Sequence, residues 1–184
     1  YPGETFSVYE AVSPFSEENG YALAGSYENG TTVQTYGGGI CQVSSTLNKA
    51  TLLSNLKIVE HHNHSYVSSY IGIGMDATVS WGGPGYQFKN DTDYPIKIKA
   101  SYSDGEVTCA IYGANLVDTH VEMTAETLLV NCCGTVYQDD PDMDAGTSTV
   151  VSSGHDGYVV QTYRNIYDGS GKKISTKKEA YCVY

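Results

Sequence analysis

The sequence predicts an α+β fold, with one main helix packed on antiparallel β structure and a small all-β module after it. Three observations predict it. Residues 41–56 hold the one long stretch with apolar side chains at helical spacing: Val43, Leu47, Ala50, Leu53 and Leu56. Short β-branched or alternating runs, punctuated by Asn-Gly and Asp-Gly pairs, fill most of the remainder. Past Gly113 the pattern changes to weakly alternating runs around an acidic stretch. A boundary near residue 115 then divides the chain into residues 1–114 and 115–184.

The first forty residues carry turn chemistry at short intervals, in YPGE, SEENG and SYENG, and read as irregular β structure and loops. ENGYALAGSYENGTTV reads as a hairpin turning on Asn29-Gly30. The helix follows and closes at Asn55 or Lys57. KIVEHHNH and YVSSYIGIG read as strands, leading to DATVSW. A β meander comes next. YQFKND leads into IKIKASY, with Ile96, Ile98 and Ala100 on one buried face; a turn at Asp104-Gly105 then leads to VTCAIYG. HVEMTAETLLV alternates weakly, and the tail folds back as a hairpin with DGSGK at its tip.

Composition narrows the function classes. Of 184 residues, 40% are hydrophobic and 17% charged, which fits a folded protein rather than a disordered one. The 17 Tyr against three Phe and one Trp resemble the surfaces of secreted and cell-surface β proteins. A net charge of −11 would repel nucleic acid and anionic membranes. The acids between Asp118 and Asp156 have no Lys or Arg among them and read as a solvated acidic face or loop. No apolar run approaches the ~20 residues that a membrane span needs. A chain opening on Tyr1 rather than Met reads as a mature or excised fragment. The five cysteines, Cys41, Cys109, Cys132, Cys133 and Cys182, match no zinc spacing, and no metal or cofactor is expected. Cys132 or Cys133 paired with Cys182 would staple the C-terminal segment. Cys109, in a strand-like run, reads as buried and inert.

Cys41 has the distinctive setting. In YGGGICQVSSTL, three glycines run into a thiol at the start of the helix. A helix N-terminus concentrates unsatisfied N–H groups and about half a positive charge, which stabilises a thiolate. Flexible backbone at Gly39 would let amides approach a substrate carbonyl, and Gln42 could add a side-chain donor. A nucleophilic cysteine also needs a base and an orienting group. EHHNHS supplies His61, His62 and His64, and Asp76 follows as orienter. On a strand, His62 and His64 would share one face and His61 the other. Three readings stay open: a catalytic Cys41 with a histidine, a structural or binding role, and a metal site at His62 and His64.

These stretches together resemble the VanW family, named for a product of some vancomycin-resistance clusters. The resemblance rests on YPGETFS, GGGICQVSSTL, IVEHHNHS, GMDATVSW and FKNDTDYPIKI, spanning residues 1 to about 113. The tail containing VVQTYRNIYDGSGKKIST resembles the five-glycine extracellular module, with its glycine pattern partly visible. The resemblance implies a bacterial envelope protein of Gram-positive type, extracellular and associated with the cell surface or wall. Its partner would be peptidoglycan or a cell-wall glycan. The upstream domain common in the family also precedes L,D-transpeptidases, which are cysteine enzymes of peptidoglycan. The family's fixed residues fall on Cys41, Gln42, His64, Ser65 and Asp76. Cys41 would then attack a wall peptide carbonyl, with His64 as base (His62 the substitute), Asp76 as orienter, and Gly39, Gln42 and Ser65 around substrate and oxyanion. The alternative is a non-catalytic wall-binding module. The chain departs from the family at His61, where an arginine commonly follows the glutamate, and around Gly85 and Tyr86, where an acidic residue is usual.

Overall fold

Turn residues cut the first 112 residues into short strands around one main helix. The computed structural model describes residues 1–28 and 31–184, without the side chains of residues 27, 28, 31 and 32. Strand β1 (Thr5–Ser7) runs into a five-residue helix α1 (Val8–Val12), where the Glu10 N–H donates to the Ser7 hydroxyl at 3.3 Å. So short a helix leaves no periodicity to read, and α1 was not expected. Strands β2 (Leu23–Glu28) and β3 (Thr31–Tyr36) form the expected hairpin, while its Asn29-Gly30 turn lies outside the described residues.

Helix α2 (Ile40–Leu53) is the main helix. It ends where the sequence suggests, at Asn55, whose φ of 56° is left-handed. There the Leu56 N–H donates to the Thr51 carbonyl at 3.2 Å and the Asn55 N–H to Leu52 at 3.0 Å, which closes the last turn. Strand β4 (Lys57–Glu60) then pairs with β5 (Gln87–Lys89), and β5 with β1, in an antiparallel sheet. Strands β6 (Lys97–Ser103) and β7 (Glu106–Tyr112) make a hairpin whose turn residues, Asp104 and Gly105, both take positive φ, 51° and 84°. Helix α2 packs on β7. Val8, Leu47, Leu56, Tyr86 and Phe88 fill the core, with Ile96 and Ile98 against it. Ala100, expected on that face, is exposed.

The buried face of α2 is not the expected apolar stripe. Leu53 is 44% exposed, and the buried positions are Ile40, Ser44, Ser45, Leu47, Asn48, Thr51 and Leu52. The reason lies opposite. KIVEHHNH is a strand only through Glu60, YVSSYIGIG forms none, and residues 61–86, all described, adopt neither helix nor strand. Backbone without a ladder needs other partners when buried, and α2 supplies them. Ser44 donates to the Ala77 carbonyl, Ser45 accepts from the Ala77 N–H at 2.9 Å, and Asn48 donates to the Met75 carbonyl at 2.8 Å. A polar helix face therefore fixes an irregular segment.

Strands β8 (Thr119–Asn131), β9 (Gly157–Asp168) and β10 (Lys173–Val183) form the C-terminal antiparallel sheet, with β9 central. The chain is thus mostly β, with one main helix and an all-β C-terminal sheet. Val160, Thr162 and Arg164 alternate along β9 and are buried. Arg164 reaches back to the end of α2, donating to Leu56 O at 2.9 Å and Asn55 Oδ1 at 3.0 Å. A Cβ on Gly74, at φ 78°, would come within 2.4 Å of Thr162, so only glycine lets the irregular segment lie against this sheet. All five cysteines are free thiols, and the expected bridge to Cys182 is absent. Cys182 is buried on β10, whereas Cys132 and Cys133 follow the end of β8 and are exposed. Two strand spacings separate β8 from β10, roughly 10 Å, beyond the ~7 Å a disulfide can close.

The three glycines before Cys41 differ in what they tolerate. A Cβ on Gly38 would sit 2.7 Å from both the Ala24 and Gly25 carbonyl oxygens, whereas one on Gly39 would meet open space. Gly38→Ala should destabilise the protein by ~1–3 kcal/mol, and Gly39→Ala should stay within ~1 kcal/mol of the parent. Urea unfolding of both variants measures the contrast.

Candidate functional site

Asp76 is the centre of the site. The segment held by α2 presents its carboxylate, which is only 1% exposed, to three donors. Oδ2 accepts from the His64 N–H and from His64 Nδ1, both at 2.7 Å. Oδ1 accepts from the Tyr184 hydroxyl. Burial raises the cost of the charged carboxylate, but the hydrogen bonds from His64 and Tyr184 outweigh it and hold Asp76 below its ordinary range. Because a carboxylate only accepts, His64 Nδ1 carries a proton and Nε2 is left for other chemistry.

Cys41 is a neighbour of that imidazole. Helix α2 begins at Ile40, with Gly39 as N-cap, so Cys41 sits in its first turn, which has no acidic side chain. The Cys41 thiol donates to the Val79 carbonyl at 3.4 Å, a further contact between α2 and the 75–79 segment. Its N–H has no hydrogen-bond partner among the described residues. Burial works against a charged His64, but Asp76 and the neighbouring Cys41 sulfur raise the imidazole to about 9. The Tyr70 hydroxyl stands 3.5 Å from Nε2, and the two rings meet edge to face. Burial pushes the Tyr70 phenol up, so it remains a donor.

The other expected residues are distributed unequally. Since β4 stops at Glu60, strand alternation does not apply, and His62 does not share a face with His64. His62 is exposed and lies 3.3 Å from Glu60. His61 instead turns inward, with Nε2 2.6 Å from the Asp76 carbonyl; burial lowers it, so it is neutral and donates. The three imidazoles therefore do not converge. Among the described residues no group of three His, Cys, Asp or Glu could hold a metal ion. Gly39 and Ser65 are exposed, and Gln42 is half-buried beside Cys41. Near Gly85, the Glu60 carboxylate accepts from the Gly85 N–H at 3.0 Å and from Gln87 Nε2 at 2.6 Å. Cys109 is half-buried, with its thiol pushed up by burial.

Sequence reasoning missed Tyr184, Tyr70 and the polar face of α2. The last had a visible signal, because Ser44, Ser45, Asn48 and Thr51 recur at helical spacing. Tyr184 had none, being separated from Asp76 by 108 residues.

The raised imidazole has a consequence for stability. A histidine held above 6.5 in the folded state stabilises it fully below pH 6.5, and that stabilisation disappears as pH rises through about 9. Thermal unfolding should therefore show a falling midpoint over this window. His64→Gln should flatten that limb while its midpoint at high pH approaches the parent's.

The family described as VanW like protein matches residues 1–112, and the G5 domain matches residues 131–180. The chain is similar to the protein YoaR of Bacillus subtilis, 37% identical over 121 residues, covering 66% of this chain and 40% of that protein. It is also similar to the vancomycin B-type resistance protein VanW of Enterococcus faecalis, 29% identical over 116 residues, covering 60% of this chain and 42% of that protein. The chain thus spans about two-fifths of the length of these relatives. No solved structure matches. With the sequence motifs in place over residues 1–112 and a G5 domain after them, the chain belongs to the VanW family.

Proposed function

We propose that this chain is a cell-wall-associated, extracellular protein whose residues 1–114 carry out acyl transfer on peptidoglycan peptides through Cys41. Residues 115–184 bind wall glycan in this reading. The observation that carries the reading is the hydrogen bond from His64 Nδ1 to the buried Asp76, which leaves Nε2 unused by Asp76 on an imidazole whose neighbour is a thiol at a helix N-terminus. Among the described residues no helix is long and apolar enough to cross a membrane.

The step begins from a thiolate–imidazolium pair, with the proton from Cys41 already on His64 Nε2 and the imidazolium stabilised by Asp76. The sulfur attacks a peptide carbonyl carbon. The unpartnered Cys41 N–H and the amide at Gly39, with Gln42 beside them, receive the oxyanion. As the C–N bond breaks, His64 gives its proton to the departing amine, leaving a thioester. Water or a second amine then attacks the thioester and loses a proton to His64, and Cys41 is released. His62 has no place in the sequence of steps.

A second reading, a wall-binding module without catalysis, is favoured by a different observation. Tyr66, Tyr70 and Trp81, all on the 61–86 segment, are exposed, Trp81 by 66%, and such rings stack on sugars.

Iodoacetamide should alkylate Cys41 faster than any other cysteine, read peptide by peptide by mass. Incubated with defined muropeptides, the parent should change their masses. Cys41→Ala should abolish the change, His64→Ala should slow it ~10²–10⁴-fold, and His62→Ala should retain it. Unchanged muropeptides with the parent, together with sacculus binding retained in Cys41→Ser, would establish the second reading instead.

A further inference from the structure

The site described above is completed from outside the matched VanW region, because Tyr184 lies beyond both residues 1–112 and residues 131–180. It follows β10 directly, and its backbone is clamped to β9. The Tyr184 N–H donates to Tyr158 O at 2.8 Å, and the Tyr158 N–H to Tyr184 O at 3.0 Å. One residue earlier, Val183 O accepts from Asn63 Nδ2 at 2.8 Å, and the same amide donates to His64 O at 2.7 Å. The phenol is thereby delivered across the boundary between the two parts. Its oxygen accepts from the Gly74 N–H at 2.9 Å, so its own proton is aimed at Asp76 Oδ1.

We propose that Tyr184 is a positioning residue for the reaction, fixing Asp76 from the C-terminal sheet so that the chemistry at Cys41 depends on docking of that sheet. This rests on the reading of Cys41, His64 and Asp76 as the reacting set. Asp76 has two oxygens, and His64 uses only one. Without the phenol, Oδ1 would be a buried, unpaired anionic oxygen, and the carboxylate would take up a proton more readily or turn away from Nδ1. Burial and the nearby carboxylate push the Tyr184 phenol far up, so it stays a donor throughout the working range. The other groups facing Asp76 are His61 at its carbonyl, His64, and Cys182, whose thiol burial and Asp76 raise to about 11. Cys41 and Tyr70 stand beyond His64. None of these offers Oδ1 a second donor among the described residues.

The test is the pH dependence of Cys41 alkylation by iodoacetamide in the full chain, read at the Cys41 peptide by mass. Tyr184→Phe keeps the ring and removes the donor. It should move the acid limb of the profile up by about one pH unit, lowering the rate on that limb about tenfold. Asn55→Gly, which removes an Arg164 contact at the far side of the same interface and keeps the left-handed turn, should leave the acid limb in place. Equal shifts in both variants would mean that Tyr184 contributes docking alone, and would overturn the proposal. So would no shift in Tyr184→Phe while His64→Ala abolishes the acid limb, an outcome that leaves the catalytic reading intact. If His64→Ala also changes nothing, the catalytic reading fails and takes the proposal with it. Should Tyr184→Phe not fold, the proton spectrum of the parent decides: a Tyr184 hydroxyl protected from exchange sustains the proposal, and a freely exchanging one overturns it.

Discussion

A row of short polar side chains on one helix, hydrogen-bonded to backbone that belongs to no sheet, is the constraint on which the site depends. Cys41, Ser44, Ser45 and Asn48 face the segment from Met75 to Val79 and bond the Met75, Ala77 and Val79 carbonyls and the Ala77 amide. An apolar helix face could not do this. It would leave buried N–H and C=O groups unpaired, each costing ~1–3 kcal/mol. The polar face thus lets twenty-six consecutive residues, 61–86, remain ordered without regular structure. Long irregular segments of that kind are more often functional than connective.

The same contacts fix a distance. Because α2 holds Ala77 and Val79, the carboxylate of Asp76 and the thiol of Cys41 are anchored to one rigid element although they come from different parts of the chain. His64 is then placed by Asp76 through two bonds, one from its ring and one from its own backbone. That double attachment leaves the imidazole little freedom to rotate, which a general base needs if it is to serve a sulfur on one side and a leaving group on the other. The nearby His62 lacks any such anchor, and its Glu60 neighbour is already engaged with Gly85 and Gln87.

Burial of a charged group is expensive, and here the expense is shared between the two parts of the chain. Two of the three bonds to the Asp76 carboxylate come from His64, and the third from Tyr184 at the far end of the C-terminal sheet. Arg164 makes a parallel connection, reaching from β9 into the closing turn of α2 while paired with Glu179 at 2.9 Å. The two contacts grip opposite features of the site-bearing half: the end of the helix that organises it and the carboxylate that orients its histidine. Under the proposed function, glycan engagement by the sheet and chemistry at Cys41 would act on one docked unit.

Local chemistry made much of this legible in advance. The glycine-thiol-helix junction at Gly39, Ile40 and Cys41, the helix stop at Asn55, the Asp104-Gly105 hairpin and the returning tail all depend on residues within a few positions of each other. Backbone preferences act at that range. The motifs carrying Cys41, His64 and Asp76 were legible for the same reason. What escaped was whatever one segment does for another. Ser44, Ser45 and Asn48 lie outside the apolar stripe that the sequence shows, and they are buried because the backbone opposite gives them partners. His62 and His64 would share one face of a strand, but the strand ends at Glu60. Tyr184, 108 residues along the chain from Asp76, meets it only when the C-terminal sheet docks beside Gly74. Sequence alone determined where the turns and the helix fall and which residue types could react. Only the tertiary structure decided which of them meet, because a buried hydrogen bond is chosen by the geometry of both its ends.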